Sequence, residues 1–328
     1  MENKDYKSII RDYEKLHSQD PETYKLSFDD EIARLQGYFK GYMPDLIKES
    51  REIEVALLWL AKARNAYVKY YQAFKSRDME YLNDVLFETA HAMQMGGILS
   101  AGCDHGFFAF NFTPNLLAAN MFDRIKYLLP EEHGISKNSD PASSCVAYML
   151  MSLMSDSQEL KDEAKRIAEK RLKVNNSLHD QSYIECMLAI LNHDYESFNW
   201  SIQNLCYAGK CAKWYGITAI DKKFCIDAHG LYNLACWAYG GEMRDKILLP
   251  DSSNFCQDLA IWQKEHNFIT GKQVHIFPED LDFYNRLMKA KPVKMPLCKS
   301  EYSNKLFFEP YQYLQGIINL NNLKIQND

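Results

Sequence analysis

The sequence contains no apolar run approaching the ~18 residues that a helical membrane span requires. A membrane protein of that kind is therefore not expected. Its first residues, Met1-Glu2-Asn3-Lys4-Asp5, are charged and lead into no apolar core, so no secretory signal is expected. Enzyme signatures are also missing. There is no Gly-rich phosphate loop, nucleophile elbow, His-Glu-x-x-His or Cys-x-x-Cys pair. These absences argue against the common phosphate-binding, serine-hydrolase, zinc-protease and dithiol chemistries. Strand signals are scarce too: only Gln273 to Phe277 offers a short β-branched and aromatic run, too little for a sheet.

What is present is ordinary globular material, 328 residues with 47% hydrophobic and 25% charged. That length suggests one large or two fused helical units. The nine cysteines are scattered through apolar runs. An odd, dispersed set reads as buried thiols in a reducing compartment, so a cytoplasmic location is expected. The net charge of −6 disfavours nucleic acid and anionic lipid as partners and is compatible with a basic one.

Helix punctuation is clear. Thr113-Pro114 and Asp140-Pro141 each place a capping residue before a proline suited to the first turn. Ser27 with Asp30 forms a weakened capping box, and Asp194 opens a further segment. Leu82, Val85, Leu86, Ala90 and Met93 form one helical stripe, with Glu80, Asp84 and Glu88 opposite. Leu117, Met121, Ile125 and Leu128 form another, as do Ile184, Met187, Leu188 and Leu191. Tyr195, Phe198, Ile202, Leu205 and Cys206 form a fourth. Cys145 to Met154 is apolar nearly all round and belongs at the centre of a layer. Ser157 to Lys173, with Asp162–Arg166 and Glu169–Lys173 at i,i+4, belongs outside. Asn192-His193-Asp194 is short enough to make an antiparallel hairpin. The fold expected is all-α, an irregular, solenoid-like array of antiparallel hairpins. The polar stretch Pro130 to Ser144 divides it into 1–135 and 136–328, packed together.

Three constellations bear on chemistry. Asp221, Cys225 and His229 would share one face of a helix at i, i+4 and i+8, a spacing open to zinc. Phe224, Ala228, Leu231 and Ala235 bury the adjacent stripe, which favours Cys225 as a small core residue instead. Gly102-Cys103-Asp104-His105-Gly106 places thiol, carboxylate and imidazole side by side. Sequence neighbours usually point apart, so a loop is the better reading. The phenylalanines from Phe107 to Phe112 fit a core plug, or a binding cluster if exposed. A helix from Pro44 to Phe74 would carry Tyr67, Tyr70, Tyr71 and Phe74 near Arg64 and Lys69, residue types that serve cores and interfaces alike.

The run Leu188-Ala-Ile-Leu191-Asn-His-Asp194-Tyr-Glu-Ser-Phe198, followed by Leu234-Ala-Cys-Trp-Ala-Tyr-Gly240-Gly241, resembles the immunity protein 49 family. These are helical immunity proteins of bacterial polymorphic toxin systems. The likeness spans about 141–250. The step here reads Asn192-His193-Asp194 where that family more often has a glycine. The resemblance implies a cytoplasmic binding protein, without catalytic groups, metal or cofactor, that occludes the active site of one cognate toxin protein. An acidic inhibitor would be steered onto a basic, nuclease-like toxin. Candidate contacts are Asp104, His105, Phe107, Tyr70, Tyr71 and Asp221, at expected loops or half-exposed helix faces. Neither nucleic acid nor membrane is expected as a partner. The alternatives are a general helical-repeat adaptor and a metal-dependent hydrolase built on Asp221, Cys225 and His229.

Overall fold

The computed structural model describes residues 4–49, 51–101, 109–131, 140–213, 221–299 and 306–323. About 72% of it is helical, so the all-α expectation holds. Among the described residues the one strand pair is short: Leu297–Lys299 runs antiparallel to Leu306–Phe308, with Leu297 opposite Phe308. Residues 273–277 do not form a strand. No described helix is long and apolar enough to cross a membrane.

The chain divides into two compact units at places other than 135/136. One comprises Met1–Gly102, Gly271–Pro296 and Glu309–Asp328; the other comprises Cys103–Thr270 and Leu297–Phe308. The division lies elsewhere because late segments return to the N-terminal helices, a long-range event that local polarity does not encode. The solenoid-like stacking is not confirmed, since a solenoid repeat touches only its sequence neighbours. Much of the polar linker, 132–139, lies outside the described residues.

In the first unit, the Phe28–Lys48 helix starts as the capping box predicts. Ser27 Oγ accepts the Asp30 N–H at 3.2 Å and donates to the Asp30 carboxylate at 2.7 Å. Pro44 lies inside this helix instead of opening one. The single helix expected from Pro44 to Phe74 is three: the end of Phe28–Lys48, then Glu52–Leu60 and Ala63–Ser76. One cause is visible at the second break. The buried Asn65 amide donates to the Trp59 carbonyl at 2.5 Å, engaging an acceptor a continuous helix would use. Aromatic rings fill the core: Tyr13 stacks on Tyr71 at 4.7 Å, and Tyr284 packs against Trp59 at 5.3 Å and Phe277 at 5.1 Å. After Met79–Ala92 the chain makes a π-helical turn, Met93–Gly97. There a Cβ on Gly96 would overlap the Leu57 carbonyl.

The stripe Leu82, Val85, Leu86 and Ala90 is buried, as its spacing requires. The opposite face departs from expectation, because Asp84 and Glu88 are buried as well. Residues 271–277 run along it as an extended strap. Lys272 donates its N–H to Asp84 at 2.9 Å and its ammonium to Glu80 at 3.1 Å. Val274 and His275 donate backbone N–H groups to Glu88 Oε1 at 2.8 and 2.7 Å. The buried carboxylates Asp84 and Glu88 thus serve the strap's main chain in place of water, while the exposed Glu80 holds the Lys272 side chain. Gly271 starts the strap so close to the helix that a Cβ would come within 2.7 Å of the Asn83 carbonyl oxygen.

In the second unit, Asp140 caps Pro141–Met154 through the N–H groups of Ala142 at 2.8 Å and Ser143 at 3.2 Å. That helix is central, with Cys145, Val146, Ala147, Met149, Leu150 and Met151 buried. Its successor, Gln158–Leu172, buries only Ala164 and Ala168, as an outer helix should. Arg166 there pairs with Glu163 at 2.6 Å, one residue nearer than the Asp162 expected. Thr113 is not a cap. The helix Thr113–Ala118 begins with it, and its hydroxyl donates back to the Ala109 carbonyl. Leu117, Met121, Ile125 and Leu128 are buried but do not share one helix: Leu117 lies in that helix, Met121 precedes the 3-10 turn Phe122–Arg124, and the other two lie in the short helix Ile125–Leu128. The helix Ile226–Tyr239 packs on Thr113–Ala118 through Gly230 and a buried amide pair. Asn233 Nδ2 lies 2.9 Å from both Asn120 Oδ1 and Gln263 Oε1, while Gln263 donates to the Ala118 carbonyl at 2.9 Å.

Candidate functional site

Among the described residues, the hairpin of Leu178–Asn192 and Tyr195–Cys211 supplies a groove suited to a binding role. Ser177 caps the first helix by accepting the Asp180 N–H at 3.1 Å, and Asp194 caps the second by accepting the Ser197 N–H at 3.0 Å. Between them His193 adopts a left-handed conformation, with φ 55°, which reverses the chain in a single step. A residue other than glycine thus performs the reversal. Phe198, Ile202, Leu205 and Cys206 turn inward and are buried. Trp200 falls off that stripe and points outward, 71% exposed.

Beside it, the end of Gln158–Leu172 and the two hairpin helices border an open groove of about 530 Å³. Leu172, Leu188 and Ala189 give it apolar surface; Glu185, Asp194 and Glu196 give it carboxylates; Trp200 gives it an open aromatic face. Asn192, Ser197 and Ser201 complete the lining, and no lysine or arginine is among these residues. The Ser197 hydroxyl and N–H hold the Asp194 carboxyl below its ordinary value, so it stays anionic. An anionic groove with an exposed indole suits a cationic side chain, through charge attraction and cation–π contact.

The contacts expected from sequence fare differently. Asp104, His105 and Phe107 lie outside the described residues. Tyr70 and Tyr71 are not half-exposed; at 5% and 2% exposure they are core residues. Tyr71 stacks on Tyr13 and donates to Glu14 at 3.1 Å, so its amphipathic character is used inside the fold. Asp221 is half-buried in a turn before the Ile226–Tyr239 helix. Asp221, Cys225 and His229 therefore do not share a helical face: Cys225 is the N-cap residue and only His229 lies in the helix. The His229 Nε2 accepts the Cys256 N–H at 2.9 Å, and its ring stacks on Phe255 at 4.1 Å. Burial lowers its pKa to about 3. Cys225 is buried, and burial raises its thiol well above the usual range, opposite to an activated nucleophile.

Two other polar clusters are internal. Glu88 Oε2 meets Lys69 Nζ at 2.6 Å and His275 Nδ1 at 2.7 Å, while Tyr81 Oη lies 2.9 Å from His275 Nε2. Burial, followed by the Glu88 charge, pushes the Tyr81 phenol up to about 12, which makes it a poor nucleophile. In the second unit His179 sits between Asp227, at 3.0 Å from Nε2, and Asp180, at 3.4 Å from Nδ1. Burial alone would lower its pKa; the hydrogen bonds and charges of both aspartates carry it to about 9. Both clusters pin elements together.

Sequence reasoning missed Glu185, Glu196 and Trp200. The signal available was Trp200's position off the buried stripe of its own helix, which predicts an exposed tryptophan. Comparison of the chain with protein-family models, curated proteins and solved structures finds no match in any of the three.

Proposed function

We propose that this chain is an immunity protein, which binds one cognate secreted toxin domain in the cytosol and occludes its active site. The observation that supports this best is the groove beside Trp200, where three carboxylates and an exposed indole meet with no lining cation. The net charge of −6 and the sequence resemblance to helical immunity proteins agree with it. A basic toxin domain would be attracted at long range by the charge and held at short range by the aromatic anchor. The role is binding without turnover: Cys225, Tyr81 and His229 are buried or engaged in ways that oppose catalysis.

The test is co-expression with the C-terminal domain of a large secreted protein encoded beside this chain. Restored growth with a co-purifying complex is the expected result. Equal killing with and without the chain, and no complex, would overturn the proposal.

A further inference from the structure

We infer that the groove beside Trp200 recognises an arginine side chain of the protein partner, in preference to lysine; this deepens, and rests on, the reading of the chain as an inhibitor of a basic protein. Either cation would satisfy simple charge attraction. The preference comes from the kinds of surface gathered there.

The indole of Trp200 offers an open, flat face. A guanidinium is planar, stacks on aromatic faces and is weakly hydrated, so it loses less by leaving water than an ammonium does. The acceptors come from both helices of the hairpin: Glu185 from Leu178–Asn192, and Glu196, Ser197 and Ser201 from Tyr195–Cys211. Five N–H donors in a fixed fork can serve acceptors on two sides at once, whereas three donors on a single nitrogen act as a point charge. Leu172, Leu188 and Ala189 offer apolar surface against which the aliphatic stem can lie. At about 530 Å³ the groove has room for a side chain and its neighbours. One face of the helix carries the contact onward: Tyr207, seven residues after Trp200 and 61% exposed, lies roughly 10 Å further along the axis.

The experiment labels the indole nitrogens of the full chain with ¹⁵N and follows the five tryptophans by NMR, with Trp200→Phe assigning its signal. The probes are blocked hexa-arginine and hexalysine peptides in about 0.15 M salt, where weak surface attraction is screened. The Trp200 signal should move saturably with hexa-arginine, with an apparent affinity at least ~5-fold weaker for hexalysine. A Glu185→Gln/Glu196→Gln chain should lose roughly tenfold for hexa-arginine. Equal response to both peptides, or no movement of the Trp200 signal, would overturn the inference. The two proposals also fail separately. Growth rescue by wild type that Trp200→Ala leaves intact would remove the groove from an inhibitor that still stands. Arginine binding at Trp200 without rescue by wild type would leave the groove and remove the inhibitor.

Discussion

Glu88 and His275 stand 187 positions apart in the chain, yet Glu88 Oε2 and the imidazole Nδ1 lie 2.7 Å apart. The same carboxylate takes the Lys69 ammonium at 2.6 Å and two backbone N–H groups of the strap. One buried side chain thereby fastens residues 271–277 to the Met79–Ala92 helix.

Removing that carboxylate should be expensive. Glu88→Ala leaves Lys69 and two strap N–H groups buried without an acceptor, and a broken buried pair typically costs about 3–5 kcal/mol. Urea unfolding of wild type and variant measures the difference. The acid limb gives a second check. Burial alone would raise the Glu88 pKa, but Lys69 and His275 outweigh it and bring it from 4.5 down to about 2. A depressed carboxyl contributes stability above its unfolded value and loses it as pH falls through the folded one. The Glu88 contribution should therefore be full above pH 4.5 and fade towards pH 2, and Glu88→Gln should lack that portion. An acid limb unchanged in Glu88→Gln would contradict this.

His179 makes the opposite prediction, on the alkaline side. Its pKa is raised from 6.5 to about 9, so its pairing with Asp180 and Asp227 contributes fully below pH 6.5 and is lost as pH rises through 9. Thermal unfolding at pH 6 and pH 9.5 should show a decline that His179→Gln reduces. If the variant declines as much as wild type, the two aspartates do not hold this imidazole charged.

Glycines separate close packing from open helix surface. Gly96→Ala drives a methyl into the Leu57 carbonyl, a backbone group that cannot step aside, and should cost about 1–3 kcal/mol or more. Gly41→Ala meets nothing within 4 Å on the exposed surface of Phe28–Lys48, where it should add roughly 0.5–1 kcal/mol. Chemical denaturation of the two variants should therefore move the midpoint in opposite directions.

Sequence periodicity carried the helical class because it reports local burial. The caps at Ser27, Asp140 and Asp194, the outer helix Gln158–Leu172 and the hairpin at His193 were all legible for that reason. The failures came where distant chain overrides local pattern. Asp84 and Glu88 look like a solvated face until residues 271–277 cover them, and nothing near residue 84 announces that. Tyr70 and Tyr71 could serve core or interface by composition alone; both are buried, and Tyr71 stacks on Tyr13. The groove at Trp200 was half legible: its position off the apolar stripe implied exposure, but the approach of Leu172 across the hairpin did not follow from either helix's own pattern.

The most direct measurement of the central claim is the affinity of this chain for the purified neighbouring toxin domain, with and without Trp200. The proposal predicts tight binding whose association slows from low salt to about 0.15 M, where the Debye length is about 8 Å. Trp200→Ala should weaken it by roughly thirtyfold, about 2 kcal/mol, mainly through faster dissociation. No binding by the wild-type chain would contradict the immunity role; binding unaltered by Trp200→Ala and by salt would contradict the groove as its site.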